Sequence, residues 1–367
     1  MYKKIIFSLS LFFSNFIFSQ LLLSDNAKVS IITCGTAPVS YAMYGHTGIR
    51  IQDNTKGIDQ VYNYGAFDFT TPNFALRFIK GDLQYFVTSE NYLNFEYNYK
   101  MDNRSIYEQE LNLNAAQKQQ LFNELNNSLY SEERFYTYKF IDRNCTTMVV
   151  DKINKILGSE TIKQPKNNKS YRDILYPYMT DFYQKLGIQI IFGTKVDQAA
   201  TRLFLPFELK KALENNKSIS KPSVTLFEAS ETTAPTNYFN SFYSLFAIMA
   251  LLILTSKKWM QLTYFTLAGV LGIFFSVVGL YSFHEEVLWN YNILLFNPLL
   301  LFFGWYYFKN KLEKTVLFGQ INIVFTSLYL VYILNKIHLS IVFPIIALQL
   351  FWLIKITLDS KKRIIDL

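Results

Sequence analysis

From Tyr238 onward the chain carries five uncharged apolar stretches, roughly Tyr238–Ser256, Trp259–Phe283, Val287–Phe308, Thr315–Asn335 and Ile337–Ile354. No other feature restricts the fold as much. Inside hydrocarbon a peptide group has no water to bond to, so a stretch of this length has to satisfy its own backbone as a helix. The reading is a five-helix transmembrane bundle over residues 238–358 with a cytoplasmic tail at 359–367.

The charges between the stretches set an orientation. Lys257 and Lys258 follow the first; Lys309, Lys311 and Lys314 follow the third; Lys355, Lys361, Lys362 and Arg363 follow the fifth. The loops after the second and fourth carry Lys336 as their only basic residue. Basic loops stay cytoplasmic, so the region before Tyr238 and the loop around His284 face outward. The N-terminus agrees independently. Lys3 and Lys4 precede the apolar run "IIFSLSLFFSNFIFS", the pattern of a signal peptide over residues 1–20, with an uncleaved anchor as the other reading. Residues 28–220 are then an exported domain. The proline-bearing tract from Lys221 reads as a linker over 221–237. The net charge of +8 does not point to nucleic acid, because export removes that partner and the basic residues are not clustered with stacking aromatics.

The exported segment is long enough to bury a core. "VSIITC" (Val29–Cys34), "GHTGIRIQD", "VYNYGAFDF" (Val61–Phe69), "DLQYFVTS", "SIYEQELNL" and "RFYTYKF" read as strands. Asn114 caps a predicted helix "AAQKQQLFNELNNSLY", and "TTMVVDKINKIL" places Met148, Val149, Ile153 and Ile156 on one helical stripe. The mixture predicts an α+β domain.

Chemistry concentrates at "FIDRNCTTMVVDKI". If a helix starts at "NCTT", Asn144 is its N-cap and Cys145 sits in the first turn, where unpaired amides and the helix dipole favour a thiolate. His46, in "YGHTGIRI", is the single histidine of the exported segment and stands at the start of a predicted strand. A helix-start cysteine with a strand-start histidine is the minimum for Cys/His nucleophilic catalysis, and it calls for neither metal nor cofactor. Asn63, on the neighbouring strand, is the candidate to orient the imidazole, with Tyr62 facing the other way; a plain strand residue is the alternative. Cys34 and Cys145 are the chain's two cysteines, and in an oxidising compartment a disulfide between them is a second reading. Phe67, Phe69, Phe74, Phe78, Tyr85 and Phe86 line an acyl groove or belong to the core. In the membrane half, His284, Asn290 and Asn292 mark a membrane-side substrate site, or else helix packing beneath an aromatic belt at Trp289 and Tyr291.

The strings "YGHTGIRI" and "NCTT" resemble the permuted NlpC-like, papain-fold enzymes, in which histidine precedes cysteine. A resemblance covering nearly the whole chain is to the Lnb family of bacterial lipoprotein N-acyltransferases. It is carried by "SIITC", "YGHTGIRI", "YNYGAFDFTTPNFALRFIKGDLQY", "EQELNL", "YKFIDRNCTT", "SYRDIL" and "FLP". The resemblance implies a multi-pass protein of the bacterial inner membrane with a periplasmic catalytic domain. Its expected reaction moves an acyl chain from a membrane phospholipid to the α-amino group of a diacylglyceryl-cysteine lipoprotein, with Cys145 as nucleophile and His46 as base. Arg143 stands before "NC" where an acidic residue is expected, and Asp142 is displaced by one position. Two further readings stay open: an exported cysteine peptidase or amidase acting on envelope peptides, and a non-catalytic module closed by a disulfide.

Overall fold

The computed structural model describes residues 21–166, 168–230 and 237–367, so the expected leader at 1–20 lies outside the described residues. Seven strands form one antiparallel sheet: β1 (Lys28–Cys34), β2 (His46–Asp53), β3 (Ile58–Ala66), β4 (Gln84–Asn91), β5 (Ile106–Glu110), β6 (Phe135–Thr137) and β7 (Val224–Phe227). Their order is β6-β4-β3-β2-β1-β5-β7, which puts β2 at the centre. β7 pairs with β5, so part of the tract expected to be a plain linker is an edge strand.

Helices cover both faces. α1 (Phe74–Lys80) precedes β4, and α2 (Tyr92–Met101) precedes β5. α3 (Ala115–Tyr130) begins at Asn114 with a reciprocal cap from Gln117, and α4 (Cys145–Leu157) begins at Asn144. α3 and α4 bring Leu121, Leu125, Val149 and Ile153 onto Ile31, Ile49, Ile51 and Tyr64 of one sheet face. Tyr92 and Phe95 of α2 close over Ile32, Cys34, Val61 and Ile106 on the other. Successive residues of a strand point to opposite faces, so burial on both sides explains why β2 holds buried side chains along most of its length. α5 (Tyr171–Leu175), α6 (Phe182–Ile191) and α7 (Pro206–Glu214) complete the domain.

The membrane half differs from the expectation in three places. The helices are α8 (Phe242–Thr255), α9 (Lys258–Tyr281), α10 (Leu299–Phe308), α11 (Leu312–Ile333) and α12 (Leu339–Ile365). Among the described residues, four segments are long and apolar enough to cross a membrane: Lys258–Tyr281, Glu285–Phe308, Leu312–Ile333 and Leu339–Ile365. α8 has only 14 residues, about 21 Å of helix, short of the ~30 Å hydrocarbon core. The segment Glu285–Phe308 is no continuous helix: 3₁₀ turns at Glu285–Val287 and Tyr291–Leu294 lead through Pro298 into α10. α12 runs on past the expected fifth span into the predicted tail.

The two halves interlock through this broken segment. Gly193 donates its amide to Glu286 O at 2.7 Å, and Ile141 N–H donates to the Glu286 carboxylate at 3.1 Å. Arg172, almost fully buried, pairs with Asp197 at 2.7 Å and donates to Tyr291 Oη at 2.9 Å. Lys336 reaches the same Asp197 at 3.4 Å.

Candidate active site

Asn144 is extended (φ −123°) and its side chain is fully engaged. Oδ1 accepts from the amides of Thr146 and Thr147 at 2.9 and 3.0 Å. Nδ2 donates to the carbonyls of Phe140 and Phe204 at 2.7 and 2.9 Å. The cap thus satisfies the second and third amides of α4 and not that of Cys145, which points with the helix dipole toward whatever sits at the thiol. Phe204 opens the "FLP" string noted in the sequence, so that string reaches the site by holding the cap.

His46 is the first residue of β2, facing Cys34 across the β1 pairing. Its Nε2–H donates to Oδ1 of Asn63 at 3.1 Å, which leaves Nδ1 for the Cys145 thiol. Asn63 in turn donates Nδ2–H to Glu90 at 3.5 Å. Asn63 therefore lies on the face of β3 that meets His46, while Tyr62 points to the opposite face and donates to Asn126 at 3.0 Å. Asp142 does not reach the site. It pairs with Lys195, and Arg143 lies over the Tyr136 ring at 5.2 Å.

The two glycines flanking His46 have separate reasons. Gly45 has φ +81°, and a Cβ there would lie 2.5 Å from the Cys34 carbonyl oxygen. Gly48 faces Asn63 across the β2–β3 pairing, and a Cβ would lie 3.1 Å from Asn63 Oδ1. One lets the chain turn into the strand; the other leaves room for the orienting amide. Sequence reasoning missed Thr47 and Thr146, whose hydroxyls meet at 3.0 Å in the core and tie the strand of His46 to the helix of Cys145. Their positions, each next to a member of the pair, were the available signal.

The electrostatics follow from this packing. Burial alone would raise the Cys145 thiol, but the His46 imidazole, the Thr47 amide and the Thr146 hydroxyl outweigh it, and its pKa falls below the usual thiol value. Burial would lower His46, yet the Cys145 sulfur and Asn63 hold it above the usual histidine value. The pair thus favours thiolate and imidazolium together. Cys34 is the contrast: with no exposed surface, burial pushes its thiol far up and keeps it inert. Both cysteines are free thiols, so the structure contains no Cys34–Cys145 disulfide.

Cys145 and His46 stand at the floor of a cavity of about 300 Å³. Its walls are aromatic: Tyr41, Tyr44, Phe67, Phe69, Phe74, Phe78, Tyr85, Tyr138 and Phe140, closed by Phe204, Leu205 and Pro206. Five of the six aromatics expected in a groove are here. Phe86 is not, because the next residue along a strand faces the other way, and it packs on Phe135 instead.

The structure does not bring His284, Asn290 and Asn292 into this cavity. His284 Nε2–H donates to the Phe78 carbonyl at 2.7 Å. Asn290 donates to the carbonyls of Ile190 and Ile191 at 3.2 and 2.9 Å, at the end of α6. Asn292 donates to the Phe192 carbonyl at 3.2 Å and accepts from Tyr329 at 2.7 Å. Their polar atoms bond the exported domain to the membrane half. The expected belt residue Tyr291 is buried against Arg172.

No curated protein and no solved structure matches the chain. Residues 20–178 match the Lnb N-terminal periplasmic domain, and residues 228–363 match the Lnb transmembrane domain. With both domains matched in order, one periplasmic and one membrane-embedded, the chain belongs to the Lnb family.

Proposed function

We propose that this protein is a lipoprotein N-acyltransferase of the bacterial inner membrane, using Cys145 as nucleophile and His46 as its base on the periplasmic side. The observation that carries this reading is the Cys145–His46–Asn63 arrangement at the floor of an aromatic cavity. An acyl chain suits such walls; a polar peptide does not, which weighs against a peptidase or amidase. The helix-borne cysteine beside a strand-borne histidine also supports a permuted NlpC-like, papain-type scaffold.

The chemistry runs in two halves. The Cys145 thiolate attacks the ester carbonyl of a phospholipid, and the backbone amide of Cys145 donates to the oxyanion that forms. The carbon–oxygen ester bond breaks, His46 protonates the departing alkoxide, and a lysophospholipid leaves behind a thioester on Cys145. The neutral α-amino group of a diacylglyceryl-cysteine lipoprotein then attacks the thioester. His46 takes the amine proton, an amide forms, and the thiolate is regenerated. Asn63 keeps the imidazole oriented throughout.

The test is the intermediate. With phospholipid supplied and lipoprotein withheld, the Cys145 peptide gains a fatty acyl mass that neutral hydroxylamine removes and added acceptor discharges. Amide-linked acylation of lipoproteins without any acyl mass on the enzyme would mean direct transfer and remove the nucleophile assignment.

A further inference from the structure

α1 is an anomaly for a helix in water. It has seven residues, "FALRFIK", of which five are apolar and none is buried. Leu76 is 58% exposed, Phe78 45% and Ile79 47%. Isolated helices below ~12–15 residues are marginal, and a helix this short survives on burial of its apolar face. Here the sheet core takes only Phe74, and that in part.

The partners of α1 show where it sits. Its backbone is held by the outer end of α9 and the residues that follow. Ser282 Oγ donates to the Ile79 carbonyl at 2.9 Å, Phe283 N–H to the Lys80 carbonyl at 2.6 Å, and His284 to that of Phe78. α9 has 24 residues, about 36 Å of rise against a hydrocarbon core of ~30 Å, and its C-terminal end is the one that meets the exported domain. Tyr281 to His284 therefore stand at the level of the outer headgroups, and α1 is pinned there. Phe74 and Phe78 of α1 also line the cavity above Cys145. The helix is both the side wall of the site and an apolar surface at bilayer height.

We infer that α1 is an interfacial helix lodged in the outer leaflet of the membrane, and that the cavity takes its acyl chain sideways from the bilayer past α1. Leu76 and Ile79 enter the acyl region while Arg77 and Lys80, each facing Asp82, stay at headgroup level. A phospholipid then presents its ester carbonyl to Cys145 without its chain crossing water. The bilayer contact stands on geometry alone; the route for the donor rests on the acyl-transfer reading above.

The experiment has two arms. In the full chain with Cys34→Ser and Cys145→Ser, a spin label is placed at Leu76→Cys, Ile79→Cys or, as a control on the exported domain, Tyr130→Cys. The protein is reconstituted in phosphatidylethanolamine–phosphatidylglycerol vesicles. Labels at 76 and 79 are expected to be reached by oxygen in preference to a water-soluble nickel chelate, with the opposite preference at 130. Nickel preference at 76 and 79, or protection from both reagents as under a protein partner or second copy, overturns the membrane contact.

In the second arm, L76E/I79E in the otherwise native chain is compared with the unaltered chain. Acylation of Cys145 from vesicle phospholipid is expected to fall about tenfold or more, since two carboxylates remove the apolar contact that seats α1 in the leaflet. Acylation from a dispersed short-chain thioester stays unchanged. An equal fall for both donors, or for neither, overturns the lateral route. If the unaltered chain never acylates from either donor, the acyl-transfer reading fails, and the spin labels still decide the placement of α1.

Discussion

Gly48→Ala tests whether His46 depends on Asn63. A methyl at this position would lie 2.9 Å from Val61 Cγ1 and 3.1 Å from Asn63 Oδ1. Ordinary contacts begin near ~3.5 Å, so the neighbours have to give by roughly half an ångström. Val61 has no exposed surface and is packed by α2, so it has little room. Asn63 Oδ1 ends a flexible side chain and is the group that moves. Its bond to His46, now 3.1 Å, would stretch by that half ångström to a length no longer worth calling a hydrogen bond. Overpacking costs about 1–3 kcal/mol, and replacing a strand glycine returns about 0.5–1 kcal/mol, leaving a net loss of about 0–2.5 kcal/mol. The protein should fold with a slightly lower melting temperature. The reaction rate of Cys145 should fall about 10–100-fold, because a misplaced imidazole costs on that scale.

The assay is a double-mutant cycle read by single-turnover acylation of Cys145 and, independently of any donor, by its alkylation rate. If Gly48→Ala acts through Asn63, it should add almost nothing in an Asn63→Ala background. The coupling would then be about 1.4–2.8 kcal/mol, the whole of the single effect. Independent, multiplicative losses would show that the methyl acts elsewhere, and an unchanged rate in Gly48→Ala would refute the dependence of His46 on Asn63.

Cys145→Ser and His46→Ala should each leave a folded, inserted protein with no hydroxylamine-sensitive acyl group. Because the Cys145 pKa is lowered and that of His46 raised, alkylation of Cys145 should persist at a pH below the ordinary thiol range; His46→Ala should move that limb upward, and a limb that stays in place would break the pairing. Asn144→Ala removes a cap worth about 1 kcal/mol and strands two buried carbonyls at about 1–3 kcal/mol each, so thermal melting should show a loss of several kcal/mol. Cys34→Ser should cost about 1–2 kcal/mol in stability with little effect on rate, as expected for a buried inert thiol. Single cysteines at Tyr130 and Glu313, in a background lacking Cys34 and Cys145, should label from opposite sides of intact cells.

The site was legible in the sequence where one residue's role is local. Asn144 before Cys145 is a cap by its type and position, and α3 begins where Asn114 and Gln117 predict. Asn63 could be placed because strand alternation decides which of two neighbours faces a histidine one strand away. What stayed hidden depends on contacts between distant segments. Thr47 and Thr146 are 99 positions apart, and nothing in either string announces their bond. α2 was not foreseen because "YLNFEYNYKM" has no helical apolar stripe; it forms because Tyr92 and Phe95 cap the exposed face of the sheet. The membrane half misled in a physical way. Apolar composition measures whether a segment tolerates lipid, not whether it is one helix. Glu285–Phe308 is apolar enough to span, yet it breaks into 3₁₀ turns where asparagines bind carbonyls of the exported domain.

That break explains why the bundle is more than an anchor. A tether alone would let the exported domain tumble, and the cavity would meet the bilayer only in some orientations. Here Glu286 accepts amides from Ile141 and Gly193, Asn290 and Asn292 take carbonyls at the end of α6, and Asp197 is shared by Arg172 and Lys336. These contacts fall on both sides of the segment that delivers Cys145, since Ile141 lies four residues before it. Non-helical backbone at the membrane is tolerated only where protein satisfies it, and the exported domain does so. The dependence is mutual: the domain completes the hydrogen bonds of the broken segment, and the segment fixes the domain's height and tilt. Breaking the shared carboxylate with Asp197→Asn should therefore do two things at once. It leaves the buried Arg172 guanidinium without its counter-charge, a loss of about 3–5 kcal/mol for a buried pair, and it loosens the register between cavity and bilayer. Acylation from vesicle lipid should then fall more than alkylation of Cys145 by a soluble reagent. Equal losses in the two assays would mean that Asp197 supports only the local fold and that orientation is set elsewhere.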